Sequence, residues 1–204
     1  MPLDQSLLEK VANSLRVARA SLLPGGVGAG GVVIDPAAKS QTKDSILARA
    51  AELYAVRPAD EKTPPTGFDP AAAALFEALV EGAFLVANAD GHFDDEERAA
   101  FEEVVLAATK QHVSKEQLDG LLADFAELLA EDGREKRIVA VSKTVTRPEQ
   151  QVEVLRVAAF IAHISGGCSD VERQTMTDLA AGFGLPAAAV DEALGVAASV
   201  LAAG

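Results

Sequence analysis

The chain has few of the residues that form disulfides, β-sheets and phosphate-binding surfaces. Of its 204 residues one is cysteine, none is tryptophan and only 4% are aromatic. The single cysteine, Cys168, excludes an intramolecular disulfide and is typical of a reducing compartment. Lys and Arg total 18 against 31 Asp and Glu, which gives a net charge of −13. Because nucleic-acid binding depends on cationic contacts to phosphate, we expect no nucleic-acid partner.

The sequence also lacks membrane, export and enzyme signals. No apolar run approaches the ~20 residues of a membrane-spanning helix. The start, Met1-Pro2-Leu3-Asp4, has neither the basic region nor the apolar stretch of a signal peptide, so we expect a cytoplasmic protein. Glu-x-x-His, His-Glu-x-x-His and paired-cysteine motifs are missing, and the three histidines are scattered. We therefore expect no enzymatic activity, with a small helical enzyme as the weakest hypothesis.

Alanine is abundant, and it loses no side-chain entropy in a helix. Apolar residues recur at three- and four-residue steps, which predicts an all-α protein. Residues 137–145 would suit a strand by propensity, but no partner strand is evident, so a helix is predicted there too. The predicted helices cover residues 3–23, 45–54, about 70–88, 94 onward, 114 to about 130, 137–145, 146 to the second acidic turn, 169 onward and 187–203.

Two stretches divide the chain. Residues 25–31 are glycine-rich and predict a flexible linker, followed by Val32-Val33-Ile34 as a short strand or docked extended segment. Residues 57–69 hold three prolines and predict a second linker. We therefore expect an N-terminal extension over residues 1–68, with an amphipathic helix, the glycine-rich linker and a short helix. A helical domain of seven helices is expected over residues 69–204.

The most informative stretch is an acidic turn at residues 89–98, Ala-Asp-Gly-His-Phe-Asp-Asp-Glu-Glu-Arg. A weaker copy at residues 164–173 aligns with it without a gap. The aligned pairs include Gly91 with Gly166, Asp95 with Asp170, Glu97 with Glu172, and Arg98 with Arg173. The similarity extends along the chain and predicts two helical repeats, about 70–130 and 147–203, neither of which has enough apolar surface to be stable alone.

Two interpretations of the acidic turns remain open. In the structural one, Asp94 and Glu97 form a capping box, and acidic residues interact favourably with the helix dipole. In the other, the turns bind a divalent metal ion. Hard oxygen ligands suit calcium, magnesium or manganese, although the turns are not intact EF-hand loops. The candidate ligands are Asp90, Asp94, Asp95 and Glu97, with Asp170 and Glu172 secondary.

The motif Asp90-Gly91-x-Phe93-x-x-x-Glu97, after Leu85-Val86-Ala87-Asn88-Ala89, resembles the TerB-like family of tellurite-resistance-associated proteins. That family is related to the N-terminal domain of the co-chaperone DjlA. In the second half, Gly166-x-x-x-Asp170-x-Glu172 resembles it too. The resemblance covers about residues 70–201. It implies an all-helical bundle and a role in stress responses, with metal binding and scaffolding near membranes.

Two functional hypotheses follow. The first is a non-enzymatic, TerB-like stress-response module with a divalent-metal site at the acidic turns. The second is an interaction or scaffold protein in which those turns only cap helices. Its N-terminal amphipathic segment, residues 3–23, would bind a protein partner or form a homo-oligomer, and any peripheral membrane association would occur through partners.

Overall fold

Helices account for all the regular structure in the residues that this computed structural model describes, namely 3–17, 44–55 and 69–202. They are α1 (Gln5–Val17), α2 (Ile46–Tyr54), α3 (Pro70–Ala87), α4 (Asp95–Ala108), α5 (Lys115–Asp132), α6 (Arg134–Thr144), α7 (Pro148–Ile164), α8 (Asp170–Phe183) and α9 (Ala188–Ala202). The all-α prediction is confirmed. Residues 137–144, which by propensity would also suit a strand, lie in helix α6. The predicted linker at 25–31, the segment Val32-Val33-Ile34 and residues 57–68 of the second linker lie outside the described residues.

Local side-chain chemistry explains where several helices begin. Asp69 accepts hydrogen bonds from the N–H groups of Ala71 and Ala72, at 2.9 and 3.3 Å, and Pro70 occupies the first helical position. Ser114 and Gln117 form a reciprocal capping box at the start of α5. These contacts satisfy N–H groups that have no partner within their own helix.

The core is centred on α3, which packs along α7 and contacts α2, α5, α6 and α8. Its Phe76 and Phe84 are fully buried, as is Phe160 of α7. By length and composition alone, α3 is the one described helix that could cross a membrane, yet 61% of it is buried inside the fold. The apolar character of α3 is thus used in packing against the other helices.

Gly82 allows α3 to pack tightly against α7. A Cβ atom placed on Gly82 would lie 2.5 Å from Cγ1 of Val154 in α7 and 3.6 Å from Cγ1 of Val141 in α6. Real Cβ atoms essentially never come this close to a neighbour, so a larger residue would force the Val154 side chain or the helices to shift.

A buried ion pair joins α3 to α6. Glu81 is 6% exposed and accepts two hydrogen bonds from Arg137, at 2.6 Å from Nε and 3.0 Å from Nη2. Arg137 also donates to Asp132 at 3.1 Å. The hydrogen bond to Glu81, followed by that to Asp132, raises the pKa of Arg137 above its usual range.

The two helices of the predicted N-terminal extension belong to the same hydrophobic cluster as α3–α9. In α1, which packs on α4 and α9, Val11 and Leu15 are buried. In α2, which packs mainly on α3, Tyr54 stacks at a tilt on Phe76 with ring centroids 4.7 Å apart. The apolar side of α1 is therefore occupied by the rest of the chain. The boundary at residue 69 stays a prediction.

Candidate functional site

The loop at residues 88–94, which includes the beginning of the first acidic turn, joins α3 to α4. Gly91 has a φ of +85°, a left-handed conformation that L side chains rarely adopt, so glycine is the natural residue here. Asp90 Oδ1 accepts the N–H of His92 at 2.8 Å, which closes the turn on itself. The side chains of Asp90 and His92 both project into solvent.

A capping box follows the turn, as the sequence predicts. Asp94 Oδ1 accepts the N–H groups of Glu96 and Glu97, each at 2.9 Å, while Glu97 Oε2 accepts the N–H of Asp94 at 3.2 Å. Two of the four main candidate ligands are therefore already engaged in starting α4. The side chain of Asp95 makes no hydrogen bond or ion pair within the described chain, and it is exposed.

Phe93 fixes the turn to the core. Its ring meets Phe84 of α3 and Phe101 of α4 edge-on, with centroid distances of 5.5 and 5.8 Å and interplanar angles near 90°. Such edge-to-face pairs contribute about 0.5–1.5 kcal/mol each beyond the area they bury. The apolar residue of the motif thus positions the carboxylates around it.

Arg134, at the start of α6, also supports this turn, and the sequence contained no signal for it. Its guanidinium donates to the carbonyl oxygen of Ala89 and lies 3.5 Å from Oγ1 of Thr175 in α8. Arg134 therefore joins the first turn to the second half of the domain. Nothing in the local sequence around residue 134 indicates a partner 45 residues away.

The second turn repeats the cap but carries less charge. Ser169 Oγ accepts the N–H of Glu172 at 3.2 Å, and Glu172 Oε2 accepts the N–H of Ser169 at 2.7 Å.

Cys168 occupies the position that Phe93 has in the first turn, and it packs against the core. Burial, assisted by the charge of Glu172, raises the pKa of the Cys168 thiol, so this cysteine is not an activated nucleophile.

Matching contacts recur in the two halves. The helices α4 and α8 each have 14 residues and begin at aligned positions. Arg98 pairs with Asp119 across α4 and α5 at 3.1 Å, and Arg173 pairs with Asp191 across α8 and α9 at 2.5 Å. The alignment of the halves places Arg98 with Arg173 and Asp119 with Asp191, so an equivalent pair forms in each.

The six candidate ligands do not form a preassembled metal centre. Within residues 3–17, 44–55 and 69–202 no group of three or more His, Cys, Asp or Glu side chains is placed to hold a metal ion. Asp90, Asp94, Asp95 and Glu97 share one turn, whereas Asp170 and Glu172 belong to the other. Metal binding by these residues stays a prediction.

A separate groove of about 690 Å³ lies between α1 and α4. Its lining includes the apolar residues Leu3, Leu8 and Ala107 and the acidic residues Glu9 and Glu103. Glu103 accepts the N–H of Leu3 at 2.6 Å, which joins the beginning of the described chain to α4. No histidine, serine or cysteine is found among the described residues that line the groove. The expected absence of enzymatic activity stays a prediction.

Together, the helical fold and the two capped acidic turns define a class of all-helical proteins with an exposed acidic corner. Comparison with known families identifies which class this is. The sequence model of the family "Tellurite resistance protein TerB" matches residues 76–194, more than half of the chain, and the protein belongs to this family. The resemblance inferred from the motifs is thereby confirmed. Comparisons with curated proteins and with solved structures gave no match.

The capping box predicts a measurable difference between neighbouring carboxylates. Asp94→Ala removes the acceptor for two N–H groups, and we expect it to lower the free energy of unfolding by about 1 kcal/mol. Asp95→Ala, one residue along, removes only a favourable interaction with the helix dipole, and we expect a loss of about 0.3 kcal/mol. Urea denaturation of both variants measures the difference. Equal losses would show that the hydrogen bonds of the cap contribute no stability beyond the effect of the negative charge.

Proposed function

We propose that this protein is a cytoplasmic, non-enzymatic TerB-family module of the tellurite-resistance and stress-response type, and that its first acidic turn binds a divalent cation. Asp90, Asp94, Asp95 and Glu97 would supply oxygen ligands, completed by water. Calcium, magnesium and manganese are the ions that such ligands suit. The membership of the TerB family supports the general class of role.

One observation supports the cation-binding part most directly. In the described chain no Lys or Arg forms an ion pair with any acidic residue between positions 90 and 97, and only His92 lies near Asp90, at 3.9 Å. The nearest basic residue in sequence, Arg98, is turned toward Glu102 and Asp119 instead. Among the described residues, these carboxylates therefore have no Lys or Arg ion-pair partner, and their negative charge in solvent attracts cations.

We also propose that the domain, residues 69–204, is a seven-helix bundle built from two repeats, about 70–130 and 147–203, with residues 1–68 as an extension. The equivalent pairs Arg98–Asp119 and Arg173–Asp191 support a duplicated unit. In the second unit Asp170 and Glu172 would form a weaker cation site, because fewer carboxylates surround them.

Isothermal titration calorimetry with calcium, magnesium and manganese tests the cation site. Asp95→Asn and Glu96→Gln are a matched pair, since both residues are exposed, adjacent and without a hydrogen-bonded side chain in the described chain. If Asp95 is a ligand, Asp95→Asn weakens binding by about tenfold or more, whereas Glu96→Gln changes it by less than about threefold. Asp90→Asn is expected to behave like Asp95→Asn.

Two results would remove the cation proposal. One is the absence of saturable heat with all three ions for the wild-type protein. The other is equal affinity in wild type and Asp95→Asn. Circular dichroism of each variant confirms that the fold is unchanged, so a loss of binding is attributed to the ligand.

A specific observation favours a second proposal, an interaction or scaffold role. The carboxylates of Asp94, Glu97 and Glu172 already accept backbone N–H groups, as they would if the turns served only to cap helices. A protein partner or a second copy would then bind through the exposed side of α1, which includes Ser6 and Glu9, and peripheral membrane association would occur through such partners. Analytical ultracentrifugation of the wild type, Glu9→Arg and the control Glu127→Arg on α5 tests self-association. If α1 forms the interface, only Glu9→Arg changes the mass of the oligomer.

A further inference from the structure

The start of α2 is capped by a side chain from a distant part of the sequence. Glu153, in α7, accepts the N–H of Ile46 at 3.1 Å and the N–H of Leu47 at 2.7 Å through its two carboxyl oxygens. Ser45 caps the next position, accepting the N–H of Ala48 at 3.0 Å. The first three N–H groups of α2, which have no partner within the helix, are thus all satisfied.

Among the described residues, buried Glu153 has no partner of opposite charge in hydrogen-bonding contact. Its exposed fraction is 7%. Arg156, one turn later on α7, is the charged side chain that acts on it. The Arg156 guanidinium lies 3.9 Å from Glu192 of α9, and its Nε has no hydrogen-bond partner in the described part of the chain. Burying a carboxylate under these conditions is costly, since the surroundings replace only part of its hydration.

The charged groups on the other helices near this contact are already paired. Asp44, immediately before α2, forms an ion pair with Lys110, which follows α4. On α3, Glu81 is bound by Arg137. Within the described part of the chain, the two N–H groups of α2 and Arg156 are the interactions that favour the ionised form of Glu153, against the effect of burial.

We propose that Glu153 makes the docking of α2 dependent on pH: α2 lies on α3 and α7 while the carboxyl is protonated, and it loosens as the carboxyl ionises. An ionised Glu153 is hydrated only when α2 moves away, whereas a neutral carboxyl loses less hydration on burial and still accepts an N–H group of α2 through its carbonyl oxygen. The loosened helix would uncover Phe76 of α3, which Tyr54 of α2 covers.

The direction of the effect follows from proton binding in the two states. Burial raises the pKa of Glu153 to about 7, in spite of the N–H groups of Leu47 and Ile46 and the charge of Arg156, which lower it. With α2 undocked the group returns to its ordinary value of 4.5. Docking is therefore strongest below pH 4.5 and is lost progressively as the pH rises through about 7, with a total change of about 300-fold in the docking equilibrium.

The chain provides its own probe for this movement. Tyr54 is the only tyrosine and there is no tryptophan, so ultraviolet emission from the protein reports on α2 without any label. We expect acrylamide quenching of Tyr54 in the wild-type protein to increase between about pH 5 and about pH 8. Far-ultraviolet circular dichroism over the same range is expected to stay constant, because the other helices do not unfold.

Two variants identify the group that titrates. Glu153→Gln cannot ionise, and we expect it to remove the pH step in quenching. Glu149→Gln changes an exposed carboxyl one turn earlier on α7, and we expect it to keep the step at the same pH. A step that persists in Glu153→Gln would assign the transition to another group, such as a histidine, and would overturn the proposal.

A measurement on the wild-type protein tests the proposal even if Glu153→Gln fails to fold. Hydrogen exchange of the Leu47 amide, corrected for its intrinsic rate, reports on the contact directly. We expect its protection to fall by about 50- to 100-fold between about pH 5 and about pH 8, while amides in the middle of α7 stay protected. Constant protection of Leu47 over this range would exclude a pH-dependent contact.

Discussion

Replacing Glu81 with alanine is expected to lower the free energy of unfolding by about 3 kcal/mol. The substitution leaves the Arg137 guanidinium, whose side chain is 14% exposed, without the carboxylate that accepts two of its hydrogen bonds. Removing one partner of a buried pair costs about 3–5 kcal/mol. The lower end applies because Asp132 remains bound to Arg137 at 3.1 Å. Urea denaturation at neutral pH measures the loss.

Two controls separate the cost of an unpaired charge from the value of the pair. Replacing both residues, as Glu81→Leu with Arg137→Leu, removes both charges, so the double variant is expected to lose less stability than Glu81→Ala alone. Asp191→Ala breaks the exposed pair with Arg173, in which both side chains are at least half exposed, and is expected to cost less than about 1 kcal/mol. Similar losses in Glu81→Ala and Asp191→Ala would contradict the assigned role of burial.

Gly82→Ala is expected to cost about 2 kcal/mol, although alanine is the better helix former. Alanine gains about 1 kcal/mol over glycine in a helix interior. The added methyl would lie 2.5 Å from Cγ1 of Val154, and for so short a contact we expect a cost of about 3 kcal/mol, the upper end of the usual range for overpacking. The clash outweighs the propensity because both helices are held by their other neighbours.

Gly120 of α5 offers a matched control, since a Cβ atom there would meet nothing within 4 Å. Gly120→Ala is therefore expected to stabilise the protein by about 0.5–1 kcal/mol. In the double variant Gly82→Ala with Val154→Ala, the new methyl takes the space of the Val154 methyl groups that are lost. We expect it to recover part of the stability, and a double-mutant cycle measures this coupling. If Gly82→Ala stabilised the protein as Gly120→Ala does, the proposed steric contact would be absent.

Much of the helical architecture could be predicted because helix starts depend on residues three positions apart. Asp94 with Glu97 and Ser169 with Glu172 form the reciprocal bonds that their spacing indicates. At residues 137–145 the choice between strand and helix needed the rest of the sequence as well, in which no partner strand is evident. The family was recognisable locally, since its motif lies within a single turn.

The candidate site was predictable only in its list of residues. The spacing places Asp90, Asp94, Asp95 and Glu97 in one turn, but it does not say which carboxylates the backbone uses. The folded chain assigns Asp94 and Glu97 to the cap of α4 and leaves Asp95 unpaired among the described residues. Competition between backbone N–H groups and a ligand for the same oxygens depends on side-chain geometry, which a residue pattern does not contain.

By itself, the sequence determined the all-helical class, the capped turns and the family, because these follow from interactions between residues close together in the chain. The tertiary structure alone decided which charges are buried and with what partners. Glu81 meets Arg137 across 56 positions, and Glu153 caps α2 across 106. The stability and pKa of such groups depend on how much water the surrounding helices exclude, and that is settled only when distant segments pack together.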